Sequence, residues 1–241
     1  MQSLLQSVFG LLLTSLGCAM AHAAVLQVAP VKIDFSPQQN AAGIGLTNPG
    51  DEPIYGQVRV YHWDQNSDGD VLTPARDVVA SPPMIKVAAR GQQFIRLVRV
   101  DHQEAPVEQS YRLLIDEIVP PDAPQVQGIA IRMRYSIPVF IAAKAGNTEP
   151  QLDWRVRWHD NQWQLSVDNR GTGHAQVGAL SLITAKGEDI VVSKGLLGYA
   201  LPGRARQWPL PVKTAQGLSG PLQIKVNLNG RAYTFNVVAQ S

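Results

Sequence analysis

The chain contains, at Glu108–Phe140, the sequence EQSYRLLIDEIVPPDAPQVQGIAIRMRYSIPVF, which reads as two β-strands joined by a proline-rich loop. Every odd position from Ile129 to Val139 is apolar, whereas Arg132 and Arg134 occupy even positions. This period of two is typical of a half-buried strand. An apolar strand beside a loop is also a template for pairing with another chain, which most proteins avoid. The stretch therefore predicts either an ordinary core strand of a sandwich or a strand that pairs with a partner.

The first 23 residues have the pattern of an export signal. Met1–Ala23 contains no Asp, Glu, Lys or Arg, has an apolar centre, and ends in Ala21-His22-Ala23, an A-x-A cleavage pattern. A membrane anchor is the alternative, but polar residues interrupt the apolar run. Cleavage after Ala23 removes Cys18, the only cysteine. We therefore expect an exported mature protein that folds without disulfide bonds.

The rest of the chain predicts an all-β protein with two domains. It is rich in turn-forming residues, with 20 Gly and 17 Pro in the whole sequence, and no helical periodicity is evident. The predicted strands include Ala24–Phe35 and Ile129–Ala142, and the polar segment Lys144–Pro150 predicts a short linker. The formal net charge of +2 is too small to indicate nucleic acid as a partner. The predicted divisions are a signal peptide at 1–23 and two β-sandwich domains at 24–143 and 147–241.

Motifs for catalysis or metal binding are weak in this sequence. Asp64–Gly69 matches the first half of a calcium loop, but the twelfth position, which should be Glu, is Ala75. We interpret this segment as a polar hairpin. Asp116 and Glu117 are neighbours on a predicted strand and point to opposite faces, so they do not form a carboxylate pair. No G-x-S-x-G elbow, histidine ligand pair or glycine-rich phosphate loop is present. We therefore expect no enzymatic activity, no catalytic residue, no metal and no cofactor.

The segment around Tyr111 resembles the signature region of the periplasmic chaperones of the chaperone–usher pilus pathway. An upstream Glu108, the aromatic Tyr111 and the ending Asp116–Pro121 carry the resemblance. The Asn usual in this strand is absent, and Val119 lengthens its ending by one residue, which is similar to a divergent, alternative or archaic branch. The resemblance implies two immunoglobulin-like β-sandwiches with a cleft between them and a location in the periplasm. It also implies an ATP-independent chaperone that binds pilin subunits and delivers them to an outer-membrane usher.

The resemblance further implies which residues act. Members of the family complete the subunit's sandwich by donor-strand complementation. Two basic residues in the family's cleft bind the subunit's terminal carboxylate. Lys32 matches the first of these, while Arg132 and its neighbour Arg134 are alternatives for the second. The implied donor side chains are Val126, Ile129, Ile131 and Met133. Which strand face meets the subunit, and whether the subunit-free protein self-associates, stay open.

A second class of function is an exported adhesive or carbohydrate-binding β-sandwich. Such a protein presents aromatic side chains on an exposed face, and Trp154, Trp158 and Trp163 are the candidates in this chain. Trp154 and Trp158 share a face of one predicted strand, however, which favours packing in a core. The two hypotheses therefore differ in whether these tryptophans are exposed.

Overall fold

The computed structural model describes residues 26–66, 69–101, 104–119, 131–144, 148–213, 218 and 220–240. These residues form β-strands joined by turns and loops, so the predicted all-β class is confirmed. The strands of the N-terminal half are β1 (Gln27–Ala29), β2 (Ile33–Phe35), β3 (Ala41–Thr47), β4 (Ile54–Asn66), β5 (Gly69–Pro74), β6 (Val78–Ser81), β7 (Met84–Val87), β8 (Gln92–Arg99), β9 (Gln109–Ile118) and β10 (Arg134–Ile141). Those of the C-terminal half are β11 (Leu152–His159), β12 (Gln162–Asn169), β13 (Ala175–Thr184), β14 (Asp189–Ser193), β15 (Gly198–Ala200), β16 (Ala205–Pro209), β17 (Gly220–Leu228) and β18 (Arg231–Gln240).

The N-terminal domain is a sandwich of two sheets. One sheet has the strand order β1-β3-β8-β6, and the other has the order β2-β10-β9-β4-β5 with β7 also paired to β4. Alternate side chains of both sheets point inward, among them Ile44, Leu97, Val60, Leu113 and Val139, all of which are buried in one core. This packing of two inner faces is the ordinary reason for an apolar–polar alternation along each strand.

The prediction of one continuous strand at Ala24–Phe35 was wrong. The structure has two short strands there, β1 and β2, and they belong to different sheets. β1 pairs antiparallel with β3, whereas β2 pairs in parallel with β10. Pro30 lies between them and has no N–H to continue a ladder, so the chain crosses from one sheet to the other at this point.

The C-terminal domain is formed by a single hydrogen-bonded path of strands that folds back on itself. The order is β14-β13-β17-β18-β11-β12-β16, with β15 paired to β13. Trp163, Leu165, Leu182 and Ile224 are fully buried in its core. β18 and β11 join the two halves of the path, and they pair in parallel only at Val156–Ala239 and Arg157–Gln240.

Each half of the described chain thus has its own core, as the sequence predicted for two sandwiches. Residues 1–25 and 145–147 lie outside the described residues, so the signal peptide and the domain limits at 24–143 and 147–241 stay predictions. Within the described ranges, no helix is long and apolar enough to cross a lipid bilayer.

Candidate functional site

The predicted donor segment lies immediately before β10. Ile131 is 80% exposed and Met133 is 39% exposed, so both apolar side chains reach solvent. The main chain of Met133 already continues the sheet, because its carbonyl accepts a hydrogen bond from Glu117 N at 3.0 Å and its N–H donates to Glu117 Oε2 at 3.1 Å. Val126 and Ile129 lie outside the described residues. The segment Ile131–Met133 therefore presents two apolar side chains to solvent at the start of a strand anchored in the domain.

The two faces of β10 have different surroundings. Ile137, Val139 and Ile141 point into the core of the N-terminal domain, and Tyr135 packs against the same core. The register of β10 with β9 runs without a bulge from Arg134–Asp116 to Ile141–Gln109. The even positions of β10, which include Pro138 and Phe140, consequently form the outward face of the six-stranded sheet.

Strand register places two basic residues in one row on this outward face. Pro138 of β10 lies opposite Arg112 of β9, and Val139 lies opposite Ile33 of β2. Lys32 precedes Ile33 and therefore lies beside Pro138. With strands spaced by about 4.8 Å, the Cα atoms of Lys32 and Arg112 are on the order of 10 Å apart. The Lys32 Nζ is 2.8 Å from Asp34 Oδ2, and 38% of the Lys32 side chain remains exposed.

Arg112 is a partly desolvated cation held between aromatic rings. Its guanidinium carbon is 3.5 Å from the centroid of the Trp63 ring and 5.4 Å from that of Tyr199. Only 13% of its side chain is exposed, and Asp70 Oδ2 lies 3.7 Å from its Nη2. Burial lowers the pKa of Arg112, although the carboxylate of Asp70 and the hydroxyl of Tyr199 act in the opposite direction. An arginine stacked on aromatic faces keeps its N–H groups available at the edge of the guanidinium plane.

A second group of charges occupies the other end of the same face. Asp116 accepts a hydrogen bond from Arg59 at 2.6 Å and another from Arg134 Nε. Burial opposes ionisation of Asp116, but the bonds from the two arginines outweigh it and hold its pKa below the usual range. Arg134 is thus paired with a carboxylate in this structure, while the Arg132 side chain is exposed. Arg132 lies six residues before Pro138, on the order of 20 Å along the strand direction.

The two domains meet directly beside the Lys32–Arg112 row. Trp63 and Phe140 of the N-terminal domain pack with Tyr199 and Leu201 of the C-terminal domain in a separate buried cluster. The ring of Phe140 stacks on that of His174, with centroids 3.6 Å apart and planes at 4°. This contact holds the C-terminal domain against the end of β10, the strand that follows the predicted donor segment.

Buried polar groups complete the domain interface. Glu108 Oε1 accepts hydrogen bonds from His174 N at 2.9 Å and pairs with its Nδ1 at 2.8 Å. Gln65 donates to Tyr199 O and accepts from Leu201 N, both at 3.0 Å. Because such buried groups lose their partners if the domains separate, they favour one relative orientation of the domains.

The sequence had singled out Lys32 and Tyr111 but missed Arg112, Trp63 and Gln65. One signal was available for Arg112, since it lies between Tyr111 and Leu113, both core residues, and must therefore point outward. Its neighbours Trp63 and Tyr199 are distant in sequence, so only the fold shows that they enclose it.

The other sequence motifs have structural roles. Asn66 pairs with Gly69 in the β4–β5 hairpin, which confirms the hairpin interpretation of Asp64–Gly69. Arg204 donates hydrogen bonds to Asp64. These bonds lower the pKa of Asp64 and connect the hairpin to the C-terminal domain. In the part of the chain that the structure describes, no three His, Cys, Asp or Glu side chains are grouped to hold a metal ion.

The tryptophans of the C-terminal domain do not form an exposed platform. Trp163 is fully buried and Trp154 is 6% exposed, both within the core. Trp158 is partly buried and meets Trp163 edge to face, with ring centroids 5.6 Å apart. This arrangement removes the observation on which the carbohydrate-binding alternative depended.

Comparisons with known proteins identify the family and the fold. A family model described as the pili and flagellar-assembly chaperone, PapD N-terminal domain, matches residues 25–145. A search of curated protein sequences found no match. Among solved structures, the complex of CsuC and CsuE from the archaic chaperone–usher Csu pili of Acinetobacter baumannii matches with a TM-score of 0.69 and 24% identity, covering 90% of this chain and 100% of the matched chain.

Two further structures have the same fold. The E. coli chaperone DraB matches with a TM-score of 0.60 and 20% identity over 88% of this chain and 95% of its own. A Salmonella enterica complex of the SafA pilin with the SafB chaperone matches with a TM-score of 0.61 and 17% identity, covering 89% and 96%. These likenesses confirm the predicted pair of immunoglobulin-like sandwiches. Since the family model covers half of the sequence, the chain belongs to the pili and flagellar-assembly chaperone family.

Proposed function

We propose that this protein is a periplasmic chaperone that binds pilin subunits by donor-strand complementation and delivers them to an outer-membrane usher. The observation that carries the proposal is the segment Ile131–Met133, which presents apolar side chains to solvent at the start of the anchored strand β10. A folded protein gains nothing from such an extension by itself, whereas a partner with an unfilled apolar groove can bury it.

Pairing with a subunit would combine two kinds of contact. The main chain of the donor strand supplies hydrogen bonds along its length, and alternate side chains enter the subunit's groove. Each of the proposed donor residues contributes about 1.5–3 kcal/mol when fully buried, and ordering of both chains offsets part of this sum. The proposed donor residues are Val126, Ile129, Ile131 and Met133.

The subunit's terminal carboxylate would bind in the cleft between the domains. We propose Lys32 as one anchor, because it lies on the outward face of the sheet beside β10. Arg112 is the second anchor that the geometry favours, since it lies in the same row and is only partly neutralised by Asp70. Arg132 and Arg134 are the alternatives for the second anchor that the sequence predicted, and variants of each are compared with a variant of Arg112 below. A hydrogen bond to a charged group contributes about 1.5–3 kcal/mol.

Family membership and the solved complexes support the class of partner. Members of the family are assembly chaperones rather than enzymes. CsuC is bound to a tip adhesion subunit in a pre-assembly complex, and SafB is bound to the SafA pilin. The periplasmic location and the transfer to an usher belong to the proposal and follow from the predicted export signal together with the family.

The experiment that tests the proposal is affinity purification of the tagged protein from periplasm, with mass spectrometry of the proteins that co-elute. We expect a stoichiometric, β-rich pilin subunit, and we expect that subunit to be degraded in cells that lack the chaperone. The variant Ile131→Asp should lose the subunit, because a carboxylate cannot be buried in an apolar groove without a partner. Leu196→Asp is the matched control, since Leu196 is an exposed apolar residue (58%) of the other domain.

Two results would contradict the proposal. One is an unchanged pilin level in cells without the protein. The other is recovery of the chaperone free of any subunit from cells that express pilin genes.

A further inference from the structure

The C-terminal domain has an open seam between its first and last strands. β18 pairs with β17 from Arg231, which lies opposite Leu228, to Ala239, which lies opposite Gly220. On its other side it pairs with β11 only at Ala239 and Gln240. Among the described residues, the edge of β18 from Arg231 to Val238 therefore has no strand beside it. Eight residues of a strand span about 26 Å.

The segment before β11 is bonded to the 170–173 loop, beyond the end of β12. The carbonyl of Glu149 accepts hydrogen bonds from Thr172 N at 3.0 Å and Gly173 N at 3.2 Å, and that of Gln151 accepts from Arg170 N at 2.8 Å. Gly171 allows this close approach, since a Cβ at that position would lie 2.2 Å from the Glu149 carbonyl oxygen. These bonds hold the start of β11 on the side of β12, and on its other side β11 pairs with β18 only at Val156 and Arg157.

The opening forms a groove of about 500 Å³ with aromatic walls. Tyr233 and Phe235 of β18 stack on one side, with ring centroids 6.2 Å apart, and Leu152 lies across from them. Both rings point to the inner side of the sheet, because their partners on β17, Val226 and Ile224, are core residues. Tyr233 is nevertheless 45% exposed, since no strand covers it.

This edge lacks the features that normally protect a strand from pairing. Proteins usually blunt a free edge with lysines, prolines, bulges or inward charges. The sequence of β18 from Arg231 to Val238 is RAYTFNVV, with one charged residue at its end and no proline. Its register with β17 is also regular throughout. The edge has the chemistry of a surface that another extended segment completes.

We propose that this groove accepts an extended segment of the pilin subunit, which adds a strand to the edge of β18. The inference rests on the proposed function and extends it to a second contact on the C-terminal domain. The segment would carry apolar side chains at alternate positions to cover Tyr233 and Phe235. Arg231 and Glu149 line the groove at its linker end and provide one charge of each sign for the polar residue that ends the segment.

The position of the groove favours the subunit as its occupant. Asn229, at one end of the groove, accepts a hydrogen bond from Gln176 N at 2.7 Å and donates one to His174 O at 3.2 Å. His174 stacks on Phe140 at the domain interface, beside the Lys32–Arg112 row. A polypeptide held in the cleft is therefore close to the groove.

Hydrogen–deuterium exchange of the free chaperone and of the chaperone–subunit complex tests the inference. We expect alternate amides of Tyr233–Val238, those that point to the open edge, to exchange at least about tenfold more slowly in the complex. Protection at Arg134–Ile141 alone would overturn the inference while leaving the proposed function intact. Failure to form any complex would overturn both. Protection of β18 that appears without subunit, together with the mass of a dimer, would show that a second copy occupies the groove and would also overturn the inference.

A pair of variants provides an independent readout. Tyr233→Ala removes a groove wall and should weaken subunit capture about tenfold, as for the loss of an aromatic anchor. Val238→Ala is the matched control, because Val238 is on the opposite face of the same strand and is 62% exposed. Tyr233→Phe should capture subunit normally. Thermal unfolding checks that both variants are folded. The inference would be contradicted if the Tyr233→Ala variant and the Val238→Ala control captured equal amounts of subunit.

Discussion

The outward face of the six-stranded sheet carries two groups of basic residues, and they differ in what neutralises them. At the start of β10, Arg134 and Arg59 both donate to the same carboxylate, Asp116, which is largely buried. Beside the C-terminal domain, Arg112 is more deeply buried than either arginine and has Asp70 at 3.7 Å. Positive charge alone therefore does not identify an anion site, because the carboxylate that a guanidinium already binds compensates much of its charge.

Desolvation sharpens this difference. A buried cation without full compensation gains more from a new anion than an exposed, paired one does, since its own hydration has already been lost. Arg112 meets this condition through its burial between Trp63 and Tyr199, whereas 65% of the Arg134 side chain is exposed. If the proposed function holds, the domain interface, rather than the charge at the start of β10, prepares the Lys32–Arg112 row to bind the subunit's carboxylate.

The largest expected effect comes from removing both residues of the Lys32–Arg112 row. Methionine keeps the apolar packing of each side chain and removes its charge. We expect the Lys32→Met/Arg112→Met variant to bind subunit at least about 100-fold more weakly, through the loss of two charge-assisted bonds. Affinity of the purified chaperone for its subunit measures the effect. The matched controls are Lys32→Met/Arg134→Met and Lys32→Met/Arg132→Met. If the Arg132 double variant lost more subunit affinity than the Arg112 double variant, Arg132 would be identified as the second anchor.

An intermediate effect, on stability, is expected from removing the charge of Asp116, which binds Arg59 and Arg134 at the start of β10. Asp116→Asn leaves Arg59 and Arg134 without their carboxylate and should lower the free energy of unfolding at pH 7 by about 1–2 kcal/mol, a value reduced for the exposure of both arginines. Because the pKa of Asp116 is lowered in the folded state, its stabilisation is present above the ordinary aspartate value of about 4 and is lost as pH falls through the folded-state pKa.

Denaturant unfolding of the wild type and the Asp116→Asn variant at pH 7 and in acid measures this dependence. The difference between the two proteins should shrink as the pH falls. Asp51→Asn, which removes an exposed ion pair with Arg90, is the control and should change little at any pH. A difference that is independent of pH would show that Asp116 does not act through its charge.

The smallest expected effect comes from removing Asp70, the carboxylate that partly neutralises the charge of Arg112. Asp70→Asn removes the neighbouring negative charge while keeping an oxygen that can accept the Gln65 hydrogen bond. We expect subunit affinity to rise about two- to fivefold, the range for loss of one partly exposed ion pair. Isothermal titration of the variant beside Asp189→Asn, an exposed aspartate of the C-terminal domain, measures it. Unchanged or weaker binding would indicate that Arg112 does not contact the subunit.

Much of the architecture was predictable because local pattern and tertiary packing agree. The predicted strand at Ile129–Ala142 is confirmed for Arg134–Ile141, where Ile137 and Val139 face a core, whereas Ile131–Met133 lies before the strand. Lys32 and the donor residues came from a resemblance and not from the physics of the residues alone. Short strands such as β7 and β15 were missed, since three or four residues carry too little periodicity to be recognised.

The sequence by itself determined the all-β class, the two sandwiches and the family, because these depend on patterns that repeat along one strand. The tertiary structure decided how the residues of the proposed sites are brought together. Lys32 and Arg112 are 80 positions apart, and only the register of three strands places them in one row. The open seam likewise depends on pairing between distant segments, because β18 pairs with β17 from Arg231 to Ala239 and with β11 only at Ala239 and Gln240. A main-chain group can pair with only a few neighbours, and the choice among distant ones is made by the whole fold.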